Sequence, residues 1–298
     1  MTEATKGKRA NAIFGLLAQT SIHAGSGINT GVIDLSIQRE GHNGWPCIFG
    51  SAVKGAMRAH AEDNQSQEIE LVFGAEATGA AEHAGAVAFG DARLLLFPVR
   101  SLTSQFKWVT CPAALQRYQN DAARMGLQID CTLPAVTLTE EQALVAETAA
   151  GDCLFLEEYR FNTQRQNLDQ IINILRELMP SKDAENLRHQ LVIVSDDMFS
   201  FMVQHATPVN AHNALDPKTK TTKPGALWYE ETLPPETLLY FTLSAAAARK
   251  KEATHSAEAM RTAVTGLFPE GNAWLQLGGN ETVGMGWCAI QIKQETKE

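Results

Sequence analysis

The sequence is poor in basic residues relative to acidic ones. Its 298 residues include 25 lysines and arginines against 34 aspartates and glutamates, which gives a formal net charge of −9. Proteins that bind phosphate backbones usually carry a basic excess, so the overall charge argues against a nucleic-acid partner. Net charge mainly governs solubility, however, whereas binding requires only one local basic stripe. The composition therefore makes a general nucleic-acid binder less favoured without excluding a local site.

Cysteines are few, and they lie far apart in the sequence. The chain has five, an odd number, and no two of them form a C-x-x-C pair. This pattern argues against a disulfide framework and against a zinc site, and it predicts reduced thiols in a cytoplasmic protein. The five are Cys47, Cys111, Cys131, Cys153 and Cys288.

Long apolar runs are also missing. No stretch of eighteen or more apolar residues occurs, so we expect no membrane-spanning helix and no membrane partner. The N-terminus places basic residues before an apolar stretch, but Gln19, Thr20 and Ser21 interrupt that stretch. We therefore interpret it as a first strand, from about Ala12 to Ile22, rather than as a signal peptide.

Periodicity predicts helices and strands in an intermixed order. Apolar residues recur at helical spacing after Ser51, across 168–178 and after Met260. Thr139 and Gln142 form a capping-box pattern, which predicts a further helix. The polar segment 210–225 contains two prolines and three lysines, and it is typical of a hairpin tip or long loop. The predicted strands, besides the first, cover 86–96, 191–195, 238–243, 274–277 and 287–292. This mixture predicts an α+β fold with a mostly antiparallel sheet.

The segment HAGSGINTGVIDLSIQREGHNGWPCIFGSAVKGAMR, residues 23–58, concentrates groups that suit phosphate binding. Its glycines permit close approach of the backbone to a ligand, and consecutive amides can form an anion-binding nest. Gly50 and Ser51 open the predicted helix, whose free N–H groups favour a phosphate. Lys54 and Arg58 lie four residues apart on that helix, so both cations point the same way.

Each of these features also has a simpler interpretation. Glycine-rich turns often precede helices, and a Lys–Arg pair at this spacing is usually a solvated face. A lone aspartate or histidine such as Asp34 or His23 more often caps an element or satisfies the core than acts in catalysis. Spacing alone therefore leaves phosphate binding and plain structural roles open.

Three stretches together resemble the RAMP superfamily. They are HAGSGINTGVIDLSIQRE followed by GSAVKGAMR, the segment ALWYEETLPPETLLY at 226–240, and the C-terminal LGGNETVGMGW at 277–287. They occur in order and span nearly the whole chain. Within the superfamily the sequence is most similar to the repeated backbone subunits of type III-B, or Cmr-type, CRISPR effector complexes. The segment at 226–240 favours that type over the sister Csm complexes.

The resemblance implies a fold as well as a class. A single domain, residues 1–298, would have an RRM-like (ferredoxin-like) core with insertions, and such a sheet can carry RNA on its open face. The core is expected at about 10–98 and 190–295, with a helical insertion at about 100–189. A polar hairpin or loop at about 205–226 would form a thumb-like projection. The spacing of Lys218, Lys220 and Lys223 favours one face of this hairpin, in contact with RNA, about as much as it favours solvated lysines in a disordered loop.

The resemblance further implies an activity and partners. Copies of the chain would stack as a helical filament along one CRISPR RNA, together with other Cmr-type subunits. The thumbs would kink the duplex of guide and single-stranded target RNA, and the target would be cut at each kink with Mg²⁺ or Mn²⁺. Asp34 is implied as the essential catalytic and metal-binding residue and His23 as a second catalytic residue. The expected RNA contacts are Gly25, Ser26, Gly27, Arg39, Ser51, Lys54, Arg58, Lys218, Lys220, Gly278 and Gly279.

General RNA chemistry is compatible with this hypothesis. RNA cleaves itself when a 2′-OH attacks the adjacent phosphorus in line, and a protein accelerates this by orienting the strand. The sequence shows no dense carboxylate cluster of the two-metal nuclease kind, so Asp34 fits a strand-distorting ribonuclease better. Two alternatives remain open at this point: an architectural RNA-binding subunit without cutting activity, and a stand-alone metal-dependent hydrolase.

Overall fold

The computed structural model describes residues 9–28, 31–75, 83–129, 131–133, 137–148, 151–250, 253–271 and 273–294. The strands within these ranges are β1 Ala10–Ala18, β2 Gly25–Ile28, β3 Leu35–Ile37, β4 Cys47–Ile48, β5 Val87–Phe89, β6 Ala92–Arg100, β7 Phe106–Thr110, β8 Gln142–Ala146, β9 Cys153–Leu156, β10 Tyr159–Gln166, β11 Leu191–Ile193, β12 Val209–Leu215, β13 Thr222–Glu231, β14 Leu238–Ala245, β15 Trp274–Gln276 and β16 Trp287–Gln294. The helices are α1 Gly50–Asp63, α2 Ile69–Phe73, α3 Pro112–Arg124, α4 Asp169–Arg176, α5 Leu187–Gln190, α6 Asp196–His205 and α7 Ala257–Thr265.

Four neighbouring strands near one end of the larger sheet form a recognisable unit. β16, β1, β14 and β6 lie side by side in this order, and each is antiparallel to its neighbours. Along the chain these strands follow one another in the order β1, β6, β14, β16. Helix α1 lies between β1 and β6, and α7 lies between β14 and β16. This β-α-β-β-α-β order is that of a ferredoxin-like fold. The predicted α+β class, with an RRM-like (ferredoxin-like) core and a mostly antiparallel sheet, is confirmed.

Strand β1 is apolar along nearly its whole length because both of its faces are covered. Ala12, Phe14 and Leu16 pack in a cluster that also contains residues of α1 and α7. Ile13 and Leu17 point the other way, into a second cluster built with residues of α3 and α4. The two-residue side-chain period of a strand thus assigns alternate residues of β1 to the two cores.

Gly15, in the middle of β1, allows the second core to close against the strand. A Cβ added at this position would lie 2.1 Å from the carbonyl oxygen of Leu178, just after α4. We therefore expect Gly15→Ala to lower the free energy of unfolding by about 3 kcal/mol, as overpacking of a rigid core does. Chemical denaturation measures the change. Gly55→Ala is the control, because this exposed helical glycine has no atom outside its own helix within 4 Å of the added Cβ, and the variant should gain about 1 kcal/mol in the free energy of unfolding. A Gly15→Ala variant as stable as the wild type would contradict the packing account.

The segment 100–189 corrects the prediction of a helical insertion. It contains β7, β8, β9 and β10 in addition to its helices, so it is mixed rather than helical. With β11, these strands extend the larger sheet beyond β6 in the order β7, β11, β8, β10, β9. Trp108 and Tyr118 are fully or almost fully buried at the centre of the second core, which this extension covers.

The prediction of a helix from the capping-box pattern at Thr139 is wrong. The Thr139 N–H does donate to the side-chain oxygen of Gln142 at 3.1 Å, but a strand follows instead of a helix. Strand β8 pairs with β10 on one side and β11 on the other. Pairing with two neighbouring strands decides the outcome, because a side-chain hydrogen bond of this kind also fits a turn that enters a strand.

A second sheet has four strands in the order β12, β13, β3, β2. β12 and β13 form a long antiparallel hairpin in the region where a hairpin or loop was predicted. β3 pairs in parallel with β13 and antiparallel with β2, so the first glycine-rich loop is part of the same sheet as the hairpin. None of the helices in the described part of the chain is both long and apolar enough to cross a membrane.

Candidate functional site

The smaller sheet brings Asp34 to the base of the hairpin. Asp34 directly precedes β3, and its Oδ2 accepts a hydrogen bond from the backbone N–H of Tyr229 in β13 at 2.8 Å. This bond crosses from the first glycine-rich loop to the strand that pairs with it. The carboxylate predicted to be catalytic is therefore held by main chain at a junction of three segments: loop, β3 and hairpin.

His23 is held by the same strand, two residues further on. Its Nδ1 lies 2.8 Å from the backbone carbonyl oxygen of Glu231. A carbonyl oxygen only accepts hydrogen bonds, so Nδ1 must carry the proton, and in the neutral ring Nε2 keeps its lone pair. Nε2 faces the first glycine-rich loop, since a Cβ added at Gly25 would lie 2.9 Å from it. Glycine at this position leaves room for the imidazole.

The second glycine-rich loop packs directly on His23. The N–H of Gly279 donates to the His23 carbonyl oxygen at 2.9 Å. Gly278 has φ of +87°, and a Cβ added there would lie 2.4 Å from the same oxygen. Only glycine tolerates both this backbone conformation and this approach. The structure therefore places three of the predicted contact residues, Gly25, Gly278 and Gly279, around one histidine.

Two carboxylates at this site were not singled out from the sequence. Glu230 and Glu231 are adjacent in β13, and only 4% and 3% of their respective surfaces are exposed. Glu230 Oε1 accepts a hydrogen bond from the side-chain nitrogen of Asn280 at 2.6 Å and lies 4.0 Å from His23 Nδ1. The sequence does contain a feature that could have identified them, a pair of acids within the apolar and aromatic stretch ALWYEETL. Carboxylates in such surroundings need specific partners.

Arg39 points into the protein. Its guanidinium donates to the carbonyl oxygens of Gly44 and Val203, each at 2.9 Å. It also donates to Thr207 Oγ1 at 3.3 Å and forms an ion pair with Glu231 Oε1 at 2.5 Å. The residue was predicted to contact RNA, but the structure commits most of its donors to partners within the chain.

The start of α1 differs from the predicted phosphate cradle. The helix begins at Gly50, so Phe49 rather than Ser51 is the N-cap residue. The Gly50 N–H donates to Asp91 Oδ1 at 2.7 Å, so a carboxylate occupies an amide that the sequence analysis assigned to a phosphate. Ser51 is exposed, one position further on.

The two cations of α1 have different surroundings. Arg58 donates to Glu62 Oε1 at 2.8 Å and to the Gly74 carbonyl oxygen at 3.1 Å. Lys54 is half-buried and has no hydrogen-bond or ion-pair partner among the residues that the structure describes. Of the pair predicted to hold a phosphate, Lys54 is therefore the side chain whose charge is not neutralised within the described chain.

Gln38 links the first glycine-rich loop to the start of α1. Its side-chain nitrogen donates to the Gly25 carbonyl oxygen at 3.0 Å, and its side-chain oxygen accepts from the Phe49 N–H at 2.6 Å. Ser26 donates to the Ser36 carbonyl oxygen at 3.0 Å, which closes the β2–β3 turn, and Gly27 adopts a φ of +104°. The loop and the helix are thus parts of one continuous surface.

Lys218 and Lys220 lie in the turn of the hairpin rather than in its strands. The turn is closed by the Asp216 N–H, which donates to the Thr221 carbonyl oxygen at 2.8 Å. Hydrogen bonds from the N–H groups of Thr219 and Lys218 lower the pKa of Asp216. The prediction that strand alternation places Lys218, Lys220 and Lys223 on one face is therefore wrong, since only Lys223 is in a strand. The two turn lysines are exposed at the hairpin tip.

No cluster of three or more histidine, cysteine or acidic side chains suited to a metal ion occurs in the described ranges. A single carboxylate still fits Mg²⁺, which keeps several waters and is often held by one or two carboxylates together with substrate phosphates. One oxygen of Asp34 is bonded to Tyr229, and the other has no hydrogen bond within the described ranges. The donor set therefore fits a cation that RNA phosphate helps to hold.

These features define an RRM-like protein in which two glycine-rich loops meet at one histidine, beside an aspartate and a long hairpin. The chain belongs to the RAMP superfamily, whose profile matches residues 16–289. The resemblance identified from the three sequence stretches is therefore confirmed.

Individual relatives agree with this assignment. The chain is 31% identical over 291 residues to the CRISPR system Cmr endoribonuclease Cmr4 of Pyrococcus furiosus, which covers 95% of this chain and 96% of that protein. Its structure is similar to the crystal structure of oligomeric Cmr4 from Pyrococcus furiosus, with a TM-score of 0.74, 27% identity and coverage of 97% and 99% of the two chains. A chain of the type III-B Cmr-beta complex bound to cognate target RNA shares the fold at 19% identity, with a TM-score of 0.72 and coverage of 95% and 96%.

Proposed function

We propose that this chain is a guide-RNA-binding backbone subunit of a type III-B CRISPR effector and that it cuts the paired target RNA at regular intervals. The observation that carries the proposal is the joint placement of Asp34 and His23. Both side chains are hydrogen-bonded to main-chain groups of β13, Asp34 to the Tyr229 N–H and His23 to the Glu231 carbonyl oxygen. These groups lie where the glycine-rich loops meet the hairpin. The relative from Pyrococcus furiosus, 31% identical, is named an endoribonuclease, which supports the same activity here.

The partners are RNA and protein. The guide RNA backbone lies along the first glycine-rich loop and α1, contacting Lys54, Ser51 and the amides of Gly25 and Gly27, while the hairpin tip reaches the duplex through its lysines. Further copies of the chain and other Cmr-type subunits complete the filament, as the oligomeric crystal form of the relative supports. Backbone amides and single cations read RNA shape rather than base sequence, which suits a subunit that must accept any guide.

The cytoplasm is the proposed location. Burial raises the pKa of both Cys47 and Cys288 to about 12, so these thiols stay protonated and unreactive at neutral pH. Neither thiol forms a disulfide, which is typical of a protein in a reducing compartment.

The cutting step follows from general RNA chemistry. The 2′-OH of one target nucleotide attacks the adjacent phosphorus, the bond from phosphorus to the 5′-oxygen breaks, and the products end in a 2′,3′-cyclic phosphate and a 5′-OH. His23 Nε2 or the Asp34 carboxylate accepts the 2′-OH proton, and the leaving 5′-oxygen takes up a proton from water. The hairpin orients the strand so that the attacking and leaving oxygens lie in line.

A divalent cation is part of the proposal. Asp34 would hold it, and the ion would neutralise charge on the phosphate. The protein's own contribution is to fix the Asp34 carboxylate through the Tyr229 N–H, and to fix the His23 ring through the Glu231 carbonyl oxygen.

The proposal is tested with the reconstituted complex, a guide RNA and an end-labelled target RNA. A complementary target should give a ladder of evenly spaced products, and a non-complementary target should stay intact. Complementary RNA that is bound but never cut would show that the chain is an architectural subunit. A chain that binds no RNA during assembly would instead support the stand-alone hydrolase.

Lys54 supplies a prediction about guide binding. We expect Lys54→Met to weaken binding of any guide sequence to a similar degree and to reduce the slope of log affinity against log salt by about 1, because one phosphate contact is lost. Filter binding at several salt concentrations measures both quantities. Arg58→Met is the matched control on the same helix face, and its effect should be smaller because Arg58 is paired with Glu62. Equal salt slopes for wild type and Lys54→Met would contradict the contact.

A further inference from the structure

Glu231 accepts hydrogen bonds from several segments of the chain near the candidate site. One carboxylate oxygen accepts hydrogen bonds from Arg39 at 2.5 Å and from Thr207 Oγ1 at 2.7 Å. The other accepts from the Ile37 N–H in β3 at 3.1 Å, and the backbone carbonyl oxygen accepts from His23. A single buried residue thus touches the strand that follows Asp34, the segment after α6, and the ring of His23.

A buried carboxylate is stable only when its partners are in place. Removing one partner of a buried ion pair is strongly destabilising because the other charge is left uncompensated. Arg39 supplies that compensation, and its second terminal nitrogen anchors the guanidinium to the Gly44 and Val203 carbonyl oxygens. The pair therefore joins the loop after β3, the end of α6 and the hairpin strand β13 into one rigid unit.

This unit controls the two candidate catalytic groups by different routes. Asp34 is one residue before β3, and the Ile37 N–H bond fixes the distance between β3 and β13. His23 depends on the position of the Glu231 carbonyl oxygen, which selects the tautomer with the proton on Nδ1. A shift of β13 would therefore move the aspartate and the imidazole relative to each other and would release the ring.

We infer that Arg39 and Glu231 form an internal clamp that positions Asp34 and His23 for RNA cutting, and that Arg39 acts through this clamp rather than by contacting RNA. The inference rests on the proposed function. It assigns both as positioning residues, since neither is placed to touch the reacting phosphate. It also explains why an arginine is needed, because a planar guanidinium can donate to several fixed acceptors at once and an ammonium cannot reproduce that geometry.

Arg39→Lys separates the clamp from an RNA contact because it keeps the positive charge. The clamp predicts that the rate of target cutting at saturating RNA falls by about 100-fold, as misplacement of about 1 Å does, while guide and target affinity stay unchanged. Lys54→Met is the comparison for a lost RNA contact, and it should lower guide affinity. If Arg39→Lys keeps wild-type cutting, or if Arg39→Gln lowers RNA affinity in parallel with cutting, the clamp is overturned.

Thr207 offers a milder probe that keeps the fold. Thr207→Val removes the hydrogen bond to Glu231 and one acceptor of the Arg39 guanidinium, and the cutting rate at saturating RNA should fall by about tenfold. Thr207→Ser retains the hydroxyl and should restore the wild-type rate. Equal rates for the serine and valine variants, with both folded by thermal denaturation, would overturn the role of this hydrogen bond.

The ring nitrogens of His23 give a readout that does not depend on cutting. In the folded subunit, ¹⁵N spectra of the neutral ring should show the proton on Nδ1, and Arg39→Lys should lower the population of that tautomer. An unchanged tautomer in Arg39→Lys would overturn the clamp even if cutting falls. Should the wild-type complex bind target RNA without cutting it, the proposed function fails, and the ¹⁵N result alone still decides whether the clamp exists.

Discussion

Replacing Asp34 with alanine is expected to reduce guided RNA cutting by at least about 100-fold, the scale of losing one acid–base group. Complex assembly and target affinity should stay at the wild-type level, because the Asp34 carboxylate accepts its hydrogen bond from a main-chain N–H rather than from a core side chain. Cutting rates at saturating RNA and binding isotherms, measured on the same preparations, give the two quantities.

Two further variants make this prediction specific. Asp34→Asn keeps an oxygen that can accept from the Tyr229 N–H but removes the negative charge, so it should also lose cutting while preserving the local structure. Asp197→Ala removes a carboxylate in the first turn of α6 and should cut normally. Wild-type activity in Asp34→Asn would show that the charge is not required, and failed assembly of Asp34→Ala would show that the residue is structural.

Gly278→Ala is expected to damage both stability and cutting. The added Cβ would lie 2.4 Å from the His23 carbonyl oxygen, and the backbone would keep a left-handed conformation. We expect a loss of about 3 kcal/mol in the free energy of unfolding from strain and overpacking together. Displacement of His23 should also slow cutting by about 100-fold. Chemical denaturation and cutting assays measure the two effects.

Gly284→Ala in the same loop is the matched control. Gly284 has nearly the same φ, +86°, but no atom lies within 4 Å of an added Cβ. This variant should therefore show only the cost of the left-handed backbone, about 1 kcal/mol, and should cut normally. Equal losses in the two variants would mean that the contact between the second loop and His23 is unimportant.

The sequence predicted the core well where the pattern and the tertiary environment agree. β1 and β16 were recognisable because their apolar residues continue or alternate with a strand period, and both pair with a neighbouring strand on each side. The segment 100–189 was harder. Its strands pair with one another and with β6 and β11, so their state depends on pairing that a local pattern does not contain.

The candidate site was only partly predictable. His23, Asp34 and the glycines could be identified because the resemblance places them in two short motifs. Glu230 and Glu231 act through contacts with residues about 200 positions away along the chain, and spacing carries no information about such contacts. For Arg39 the sequence predicted a contact that the structure does not favour. An arginine in a glycine-rich region is typical of RNA binding, and only the structure shows that its acceptors lie within the chain.

The acidic overall charge is compatible with the proposed function because RNA binding requires only a local basic surface. Arg39, Arg58 and Arg93 pair with acidic side chains of the same chain. Lys54 and the two lysines of the hairpin turn remain as the cations proposed for RNA. A few such contacts in each copy add up along a filament, so each subunit needs only a small basic surface.

The most direct test of the central claim uses the wild-type complex and a complementary target that carries one 2′-deoxynucleotide at a single cut position. We predict an evenly spaced ladder that lacks only the product at the modified position, because the nucleophile is missing there alone. A complete ladder that includes this position would contradict attack by the 2′-OH. Bound target RNA without any ladder would contradict the claim that this chain cuts RNA.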